Sequence, residues 1–264
     1  MTKFGATTIV GQFNEACLAP METVFAAEPP CSGSGEGERW LRSFGRRKGR
    51  KLSERQSALL SEGLGVYKLD MSRPLSAEEL RREFSEPVGE VWLEIGFGAG
   101  EHLVWQAEHH PHAGLIGAEP YVNGVVAAIS ALDARQLQGR AKIHPEDAIA
   151  LLNWLPAESL SRAFVLFPDP WPKKRHRERR IFSPLLLEKL GRLLRSGAEL
   201  RFASDIADYA DAAQEHAKAH PAFELAQIFT SADRDAAPNW PVTRYEQKAA
   251  KQGRSSTFIS LRRR

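Results

Sequence analysis

From residue 76 onward two hydrophobic periods alternate along the chain. Five apolar runs have strand length: VWLEIGF (91–97), LIGAEP (115–120), AKIHPED (141–147), AFVLFPD (163–169) and ELRFASD (199–205). Between them, EHLVWQAEHH (101–110), VNGVVAAISALDARQ (122–136), DAIALLNW (147–154) and SPLLLEKLGRLLRSG (183–197) repeat apolar residues at helical spacing. Ser76 ahead of AEELRREF, with Glu79 three residues on, is the signature of a capping box. Ser183 caps the last of the helical runs, Pro184 suits its first position, and Gly197 is expected to stop it. Strands alternating with helices predict an α/β fold, an open parallel sheet with helices on both faces. FELAQIF (223–229) and TFISLRR (257–263) have only the loop 230–256 between them, which predicts an antiparallel pair at one edge.

The amino-terminal part is patterned differently. Residues 1–38, ending in the linker-like SGSGEGE, read as a disordered leader. Residues 39–72 read as a basic arm ahead of a domain spanning 73–264. In RWLRSFGRRKGRKLSER (39–55) eight basic residues, among them Arg46, Arg47, Arg50 and Lys51, face one acid, Glu54. Trp40 and Phe44 are interleaved, a combination suited to phosphates and bases. A second basic run, KKRHRERR (173–180), follows the proline-rich FPDPWP.

Composition narrows the classes. With 42% hydrophobic residues in 264, the chain has enough apolar content for a sizeable core, and global disorder is excluded. Its net charge is only +3, so the clustering of the cations matters more than their sum. Cys17 and Cys31 have no metal-ligand spacing with any histidine, and His102, His109, His110 and His112 lack cysteine or paired acids beside them; no metal is expected. No apolar run reaches membrane-spanning length and no secretory signal is read, so a cytoplasmic setting and no membrane partner are expected.

The candidate chemistry lies at the strand ends. Glu119, Asp147, Asp169 and Asp205 close four of the five runs, and Glu94 stands just ahead of a glycine-rich turn. In open parallel sheets ligands bind at the carboxyl ends of the strands. Gly96, Gly98 and Gly100 let backbone approach a ligand closely, but Glu101 occupies the place of the third glycine of a dinucleotide fingerprint. An acid at that helix start repels a pyrophosphate, which argues against a nicotinamide-dependent oxidoreductase. Glu94 suits a cationic group, Glu119 a pair of ribose hydroxyls, and Asp147 an exocyclic amine. A nucleoside with a cationic tail satisfies all three, and S-adenosylmethionine is that molecule.

ExGxGxG followed by an acid ending the next strand resembles the class I methyltransferases. Together with PDPWPKKRHRERR, Asp205 and TRYE (243–246), it resembles the bacterial tRNA (guanine-N7-)-methyltransferase family, from about Arg42 to the carboxyl terminus. The resemblance implies a Rossmann-like seven-stranded sheet, mostly parallel with an antiparallel last strand. It also implies methyl transfer from S-adenosylmethionine to N7 of a guanosine in the tRNA variable loop. Glu94, Glu119, Asp147 and Asp169 match the family's cofactor-contacting acids. Lys173, Asp205, Thr243, Arg244, Tyr245 and Glu246 match its substrate positions. Asp169, stiffened by Pro168, Pro170 and Pro172, is the expected catalytic carboxylate. Tyr245 and Glu246 are expected to read guanine, while Arg46, Arg47, Arg50, Lys51, Lys174, Arg175 and Arg177 hold tRNA phosphates. Arg179 and Arg180, at the far end of the run, are expected to face water. A methyltransferase acting on a small molecule would need no basic segments, and a non-catalytic RNA-binding module would have no use for the strand-end acids.

Overall fold

The computed structural model describes residues 44–45, 47–236 and 241–264. The leader 1–38 lies outside the described residues, as do Arg39, Trp40, Arg42 and Arg46 of the arm. Seven strands make one sheet: β1 (Glu90–Ile95), β2 (Ala113–Ala118), β3 (Ala141–His144), β4 (Leu160–Leu166), β5 (Leu194–Ser204), β6 (Phe223–Thr230) and β7 (Thr257–Arg263). Their order is β3-β2-β1-β4-β5-β7-β6. β1 to β5 run parallel, and β7 lies antiparallel between β5 and β6. The expected sheet forms, edge pair included.

Alternation along each strand divides the core in two. Val91, Leu93 and Ile95 face one layer, with α2 (Ala77–Arg82), α5 (Ala148–Trp154), α6 (Pro184–Leu193) and α7 (Ala207–Ala219). Trp92 and Phe97 face the other, with α1 (Glu54–Tyr67), α3 (Glu101–His109) and α4 (Val122–Asp133). Strands covered on both faces read as continuous apolar runs, which is why β2 is buried at all six positions. Ser76 and Glu79 form the expected capping box, and Ser183 with Pro184 starts α6.

Three boundaries differ from the sequence reading. α6 ends at Leu193, because Leu194 is already extended (φ −79°, ψ 130°) and buried against β4. Gly197 (φ +78°) turns an excursion inside β5, where pairing jumps from Leu160↔Leu194 to Arg162↔Glu199. The acids do not close the strands: Glu119, Asp147, Asp169 and Asp205 stand one to three residues past β2, β3, β4 and β5, on the loops. The stretch read as a bare loop, 230–256, contains α8 (Arg244–Lys251).

The segment read as the arm also contains structure. α1 starts on a capping box of Ser53 and Gln56, and Gly63 lets it approach Ile129 of α4. Tyr67 is fully buried and donates to Asp133 Oδ1 at 2.7 Å. Burial and that acidic acceptor push its phenol pKa up.

Candidate active site

From β1 the chain runs outward to β2 and β3, then returns across β1 to β4. The carboxyl ends of β1 and β4 therefore form the switch point where open α/β sheets hold ligands. A cleft of ≈ 260 Å³ lies there, and Gly96, Gly98, Glu119, Asp169, Trp171 and Tyr245 are among its walls. Gly96, Gly98 and Gly100 all have positive φ (76°, 59° and 83°), so the turn passes over β1 in a conformation other residues resist. α4 closes on it from behind: a Cβ on Gly124 would stand 2.2 Å from the Gly98 carbonyl oxygen.

Glu119 is 8% exposed and braces this turn. Its Oε2 accepts from Gly98 N at 2.7 Å and its Oε1 from Tyr121 N at 2.9 Å. Burial raises its pKa against those two hydrogen bonds, and the negative charges of Asp169 and Glu94 add to the rise. Asp169 is likewise raised, by burial between the cleft walls. The crowding of negative charge around Glu119 is one that a bound cation would relieve.

Glu94 is buried under the turn, and its Oε2 lies 2.8 Å from His102 Nδ1. It borders a hollow of ≈ 20 Å³ that shares Gly96, Phe167 and Tyr245 with the main cleft. Asp147 caps α5, accepting from Ile149 N at 2.9 Å, and it is Ala148 that lines the cleft.

The loop after β4 is strained at both ends. Phe167 (φ +50°) and Trp171 (φ +42°) occupy the left-handed region on either side of Asp169. Phe167 is held by its N–H to Ala203 O at 2.8 Å and by a stacked Tyr245 at 6.2 Å. Trp171 packs edge-on to Phe44 and His176, with the Arg179 guanidinium 5.0 Å from its ring centroid.

That contact brings the arm to the cleft. Phe44 and Gly45 form part of its wall. Arg47 O accepts from Val122 N at 3.1 Å, and Arg50 O accepts from Asn123 Nδ2 at 2.9 Å. Backbone groups anchor the segment, leaving the side chains of Arg47, Arg50 and Lys51 exposed.

The second basic run divides differently from expectation. Lys173, Lys174 and Arg175 are exposed on a 3₁₀ turn (Lys174–Arg179) and make no ion pair among the described residues. Arg177 pairs with Asp208 at 2.8 Å. Arg179 and Arg180 do not simply face water. Arg179 lines the cleft over Phe44 and Trp171. Arg180, 6% exposed, lies over Tyr209 and donates to Pro170 O at 2.9 Å and to Asp208 Oδ2 at 2.8 Å. The apolar wall of Tyr209 draws that guanidinium inward, and the Pro170 carbonyl satisfies it there.

Comparison with known proteins decides the family. Residues 89–259 match the family model described as "Putative methyltransferase". The tRNA (guanine-N(7)-)-methyltransferase of Paramagnetospirillum magneticum is 46% identical over 234 residues, covering 88% of this chain and 97% of that protein. Its namesake in Rhizobium meliloti is 41% identical, covering 83% and 94%. The chain belongs to the tRNA (guanine-N7-)-methyltransferase family. The solved 16S rRNA methyltransferase KamB shares the fold at a TM-score of 0.51 and 16% identity, covering 73% of this chain and 96% of that one.

In this family member the TRYE segment starts α8. Thr243 Oγ1 caps the helix by accepting from Glu246 N, and both residues are buried. Glu246, expected to read guanine, is 6% exposed at the start of this helix; Tyr245, 44% exposed, is the member that lines the main cleft. Arg244 lies beside it, its guanidinium 5.4 Å from the Tyr245 ring. Asp205 Oδ2 accepts both Nε (2.9 Å) and Nη2 (2.6 Å) of Arg254, a residue no motif had marked. Glu101 gains a second role, accepting from Arg244 N at 3.1 Å and so tying α8 to the start of α3.

Proposed function

We propose that this chain transfers the methyl group of S-adenosylmethionine to N7 of a guanosine in the variable loop of tRNA, in a cytoplasmic setting. The observation that carries the reading is identity of 46% over nearly the whole length of a relative named for that activity. The cleft supports it chemically. Its glycine turn offers bare backbone at Gly96, where a Cβ would meet nothing within 4 Å. Glu119 keeps acceptor capacity for ribose hydroxyls beyond its two backbone bonds, since a carboxylate has about four lone-pair sites. Glu94 borders a hollow sized for one small cationic group, and Asp147, beside the wall at Ala148, is the candidate for the adenine amine.

When bound, the cofactor supplies a methyl group activated by its sulfonium. Guanine N7 already presents an in-plane lone pair, so no residue here has to remove a proton. The protein's contribution is alignment, an effect worth roughly 7–11 kcal/mol when complete. Asp169 adds electrostatic stabilisation for the positive charge that grows on the purine. Tyr245, stacked on Phe167, offers a ring face to a base taken out of its stack. Lys173, Lys174 and Arg175 next to the cleft, with Arg47, Arg50 and Lys51 on the arm, hold the phosphates; Arg46 is assigned there from sequence alone.

The test is transfer of labelled methyl from S-adenosylmethionine to unmodified tRNA, followed by mapping of the modified nucleotide. 7-Methylguanosine in the variable loop is expected. Label on another atom, or on no tRNA, would overturn the assignment.

A further inference from the structure

Behind Glu94, already placed at the cleft, runs a buried polar chain that the assignments above leave unused. Glu94 and His102 are each 3% exposed, and His102 Nδ1 lies 2.8 Å from Glu94 Oε2. The opposite ring nitrogen, Nε2, is 2.9 Å from Gln106 Nε2, and Gln106 is fully buried. An ionised carboxylate can only accept, so His102 Nδ1 carries a proton and donates it to Glu94. The ring is fixed on a third side by Phe164, edge-on at 4.6 Å. One turn of α3 separates His102 from Gln106, so the chain is preset by the helix before any ligand arrives.

A buried carboxylate with one oxygen committed has a defined orientation. Glu94 Oε2 is taken by His102, whereas Oε1 has no partner among the described residues. The residue borders the ≈ 20 Å³ hollow, room for about one small group, together with Gly96, Ala99 and His102. An ammonium has the charge, the size and the three donors to answer a carboxylate there.

We propose that His102 is a positioning residue: its Nδ1–H holds Glu94 in the orientation that receives the ammonium of the cofactor's amino-acid tail. This rests on S-adenosylmethionine being the cofactor. His102 touches neither methyl nor base, and it acts on tail affinity through Glu94. The same fixed proton prevents the carboxylate from rotating both oxygens toward its helix.

The experiment compares two ligands on the full-length chain by calorimetry. S-adenosylhomocysteine carries the ammonium, and 5′-methylthioadenosine has the same nucleoside without the amino-acid tail. His102→Leu removes the donor, and His102→Asn restores an N–H near the Nδ1 position. Loss of one hydrogen bond to a charged group corresponds to a tenfold to hundredfold rise in Kd, on the order of 1.5–3 kcal/mol. The expected result is that rise for S-adenosylhomocysteine with Leu, little change for 5′-methylthioadenosine, and recovery with Asn. Equal weakening of both ligands, or no recovery with Asn, would overturn the proposal and mark His102 as structural. Wild-type protein that binds neither ligand would instead bring down the cofactor reading first. Nitrogen-detected spectra of the wild-type ring decide the matter even if the Leu variant does not fold: the proton is expected on Nδ1, and an unprotonated Nδ1 overturns the proposal.

Discussion

Replacing Arg180 with Ala should destabilise the fold and loosen the loop that carries Asp169. Arg180 belongs to a run of six cations within eight residues, yet it is 6% exposed. Three main contributions are lost together, beside a longer bond from Nη1 to Asp208 O at 3.3 Å. The Nε–H to Pro170 O bond at 2.9 Å is charge-assisted and buried, worth about 1.5–3 kcal/mol. Placement of the guanidinium 4.5 Å from the Tyr209 ring centroid adds about 0.5–2 kcal/mol. The ion pair with Asp208 counts for less, about 0.5 kcal/mol, because Asp208 is 40% exposed and keeps Arg177 as a second partner. The sum is about 3–5 kcal/mol, a large fraction of an ordinary domain's stability. For a domain of this size each kcal/mol moves Tm by about 2–4 °C, so a drop of about 6–20 °C is expected by calorimetry. Turnover should fall as well, since Pro170 follows Asp169 directly. Arg177→Ala is the internal control: among the described residues it loses a surface ion pair, and its Tm should stay within about 2 °C of wild type. If Arg180→Ala and Arg177→Ala shift Tm equally, the division of the basic run into buried and solvent-facing parts is wrong.

Asp169→Asn should slow methyl transfer far more than it weakens tRNA binding, and it should also stabilise the protein at neutral pH. A carboxyl whose folded pKa lies above its ordinary 3.8 contributes full stability below that value and loses it as pH rises through the raised one. The gain in Tm should therefore be present at pH 7.5 and vanish below about pH 4; a gain independent of pH would contradict burial as the cause. Gly124→Ala should cost about 1–3 kcal/mol and weaken cofactor binding, because its Cβ meets the Gly98 carbonyl at 2.2 Å, backbone that cannot swing aside. Unchanged affinity in that variant would separate the glycine turn from the cofactor site. Removing the charges of Lys173, Lys174 and Arg175 together should lower the slope of log affinity against log salt by about 2–3, at roughly 0.7–0.9 per phosphate contact. An unaltered slope in filter binding would take that turn out of the tRNA interface.

The strands and most helices were legible because each carries its own period: β2 is apolar on both faces, and Ser183-Pro184 opens α6 by local chemistry alone. Three helices went unread, α1, α7 and α8, the first and last despite similar signals. Ser53 with Gln56, and Thr243 with Glu246, have capping spacing, but the first lies in a charge run and the second in a short polar stretch between two strands. Gly197 was misread as a helix stop, since a glycine marks a positive φ without saying which element contains it. In the site, the acids were visible as residues past apolar runs. Their partners were not: Arg254 on Asp205 is 49 residues away, and no spacing in the chain announces it. Arg180 failed for the same reason, because the Asp208 and Tyr209 that draw it inward come from α7.

The strain around Asp169 fits the kind of catalysis that N7 demands. Phe167 and Trp171, both bulky and both at positive φ, each cost on the order of 1–3 kcal/mol. Such conformations persist only when neighbours over-determine them, and here the neighbours come from distant parts of the chain. β5 supplies the Ala203 carbonyl for Phe167, α8 supplies Tyr245, and β7 supplies Phe258. The arm supplies Phe44 for Trp171, and Arg180 ties down Pro170. A carboxylate that only stabilises growing charge acts through distance, and its effect depends on staying where it is. The fold therefore concentrates its constraints on the loop that carries Asp169, the carboxylate proposed to act by charge alone, and the arm proposed to gather tRNA is one of those constraints.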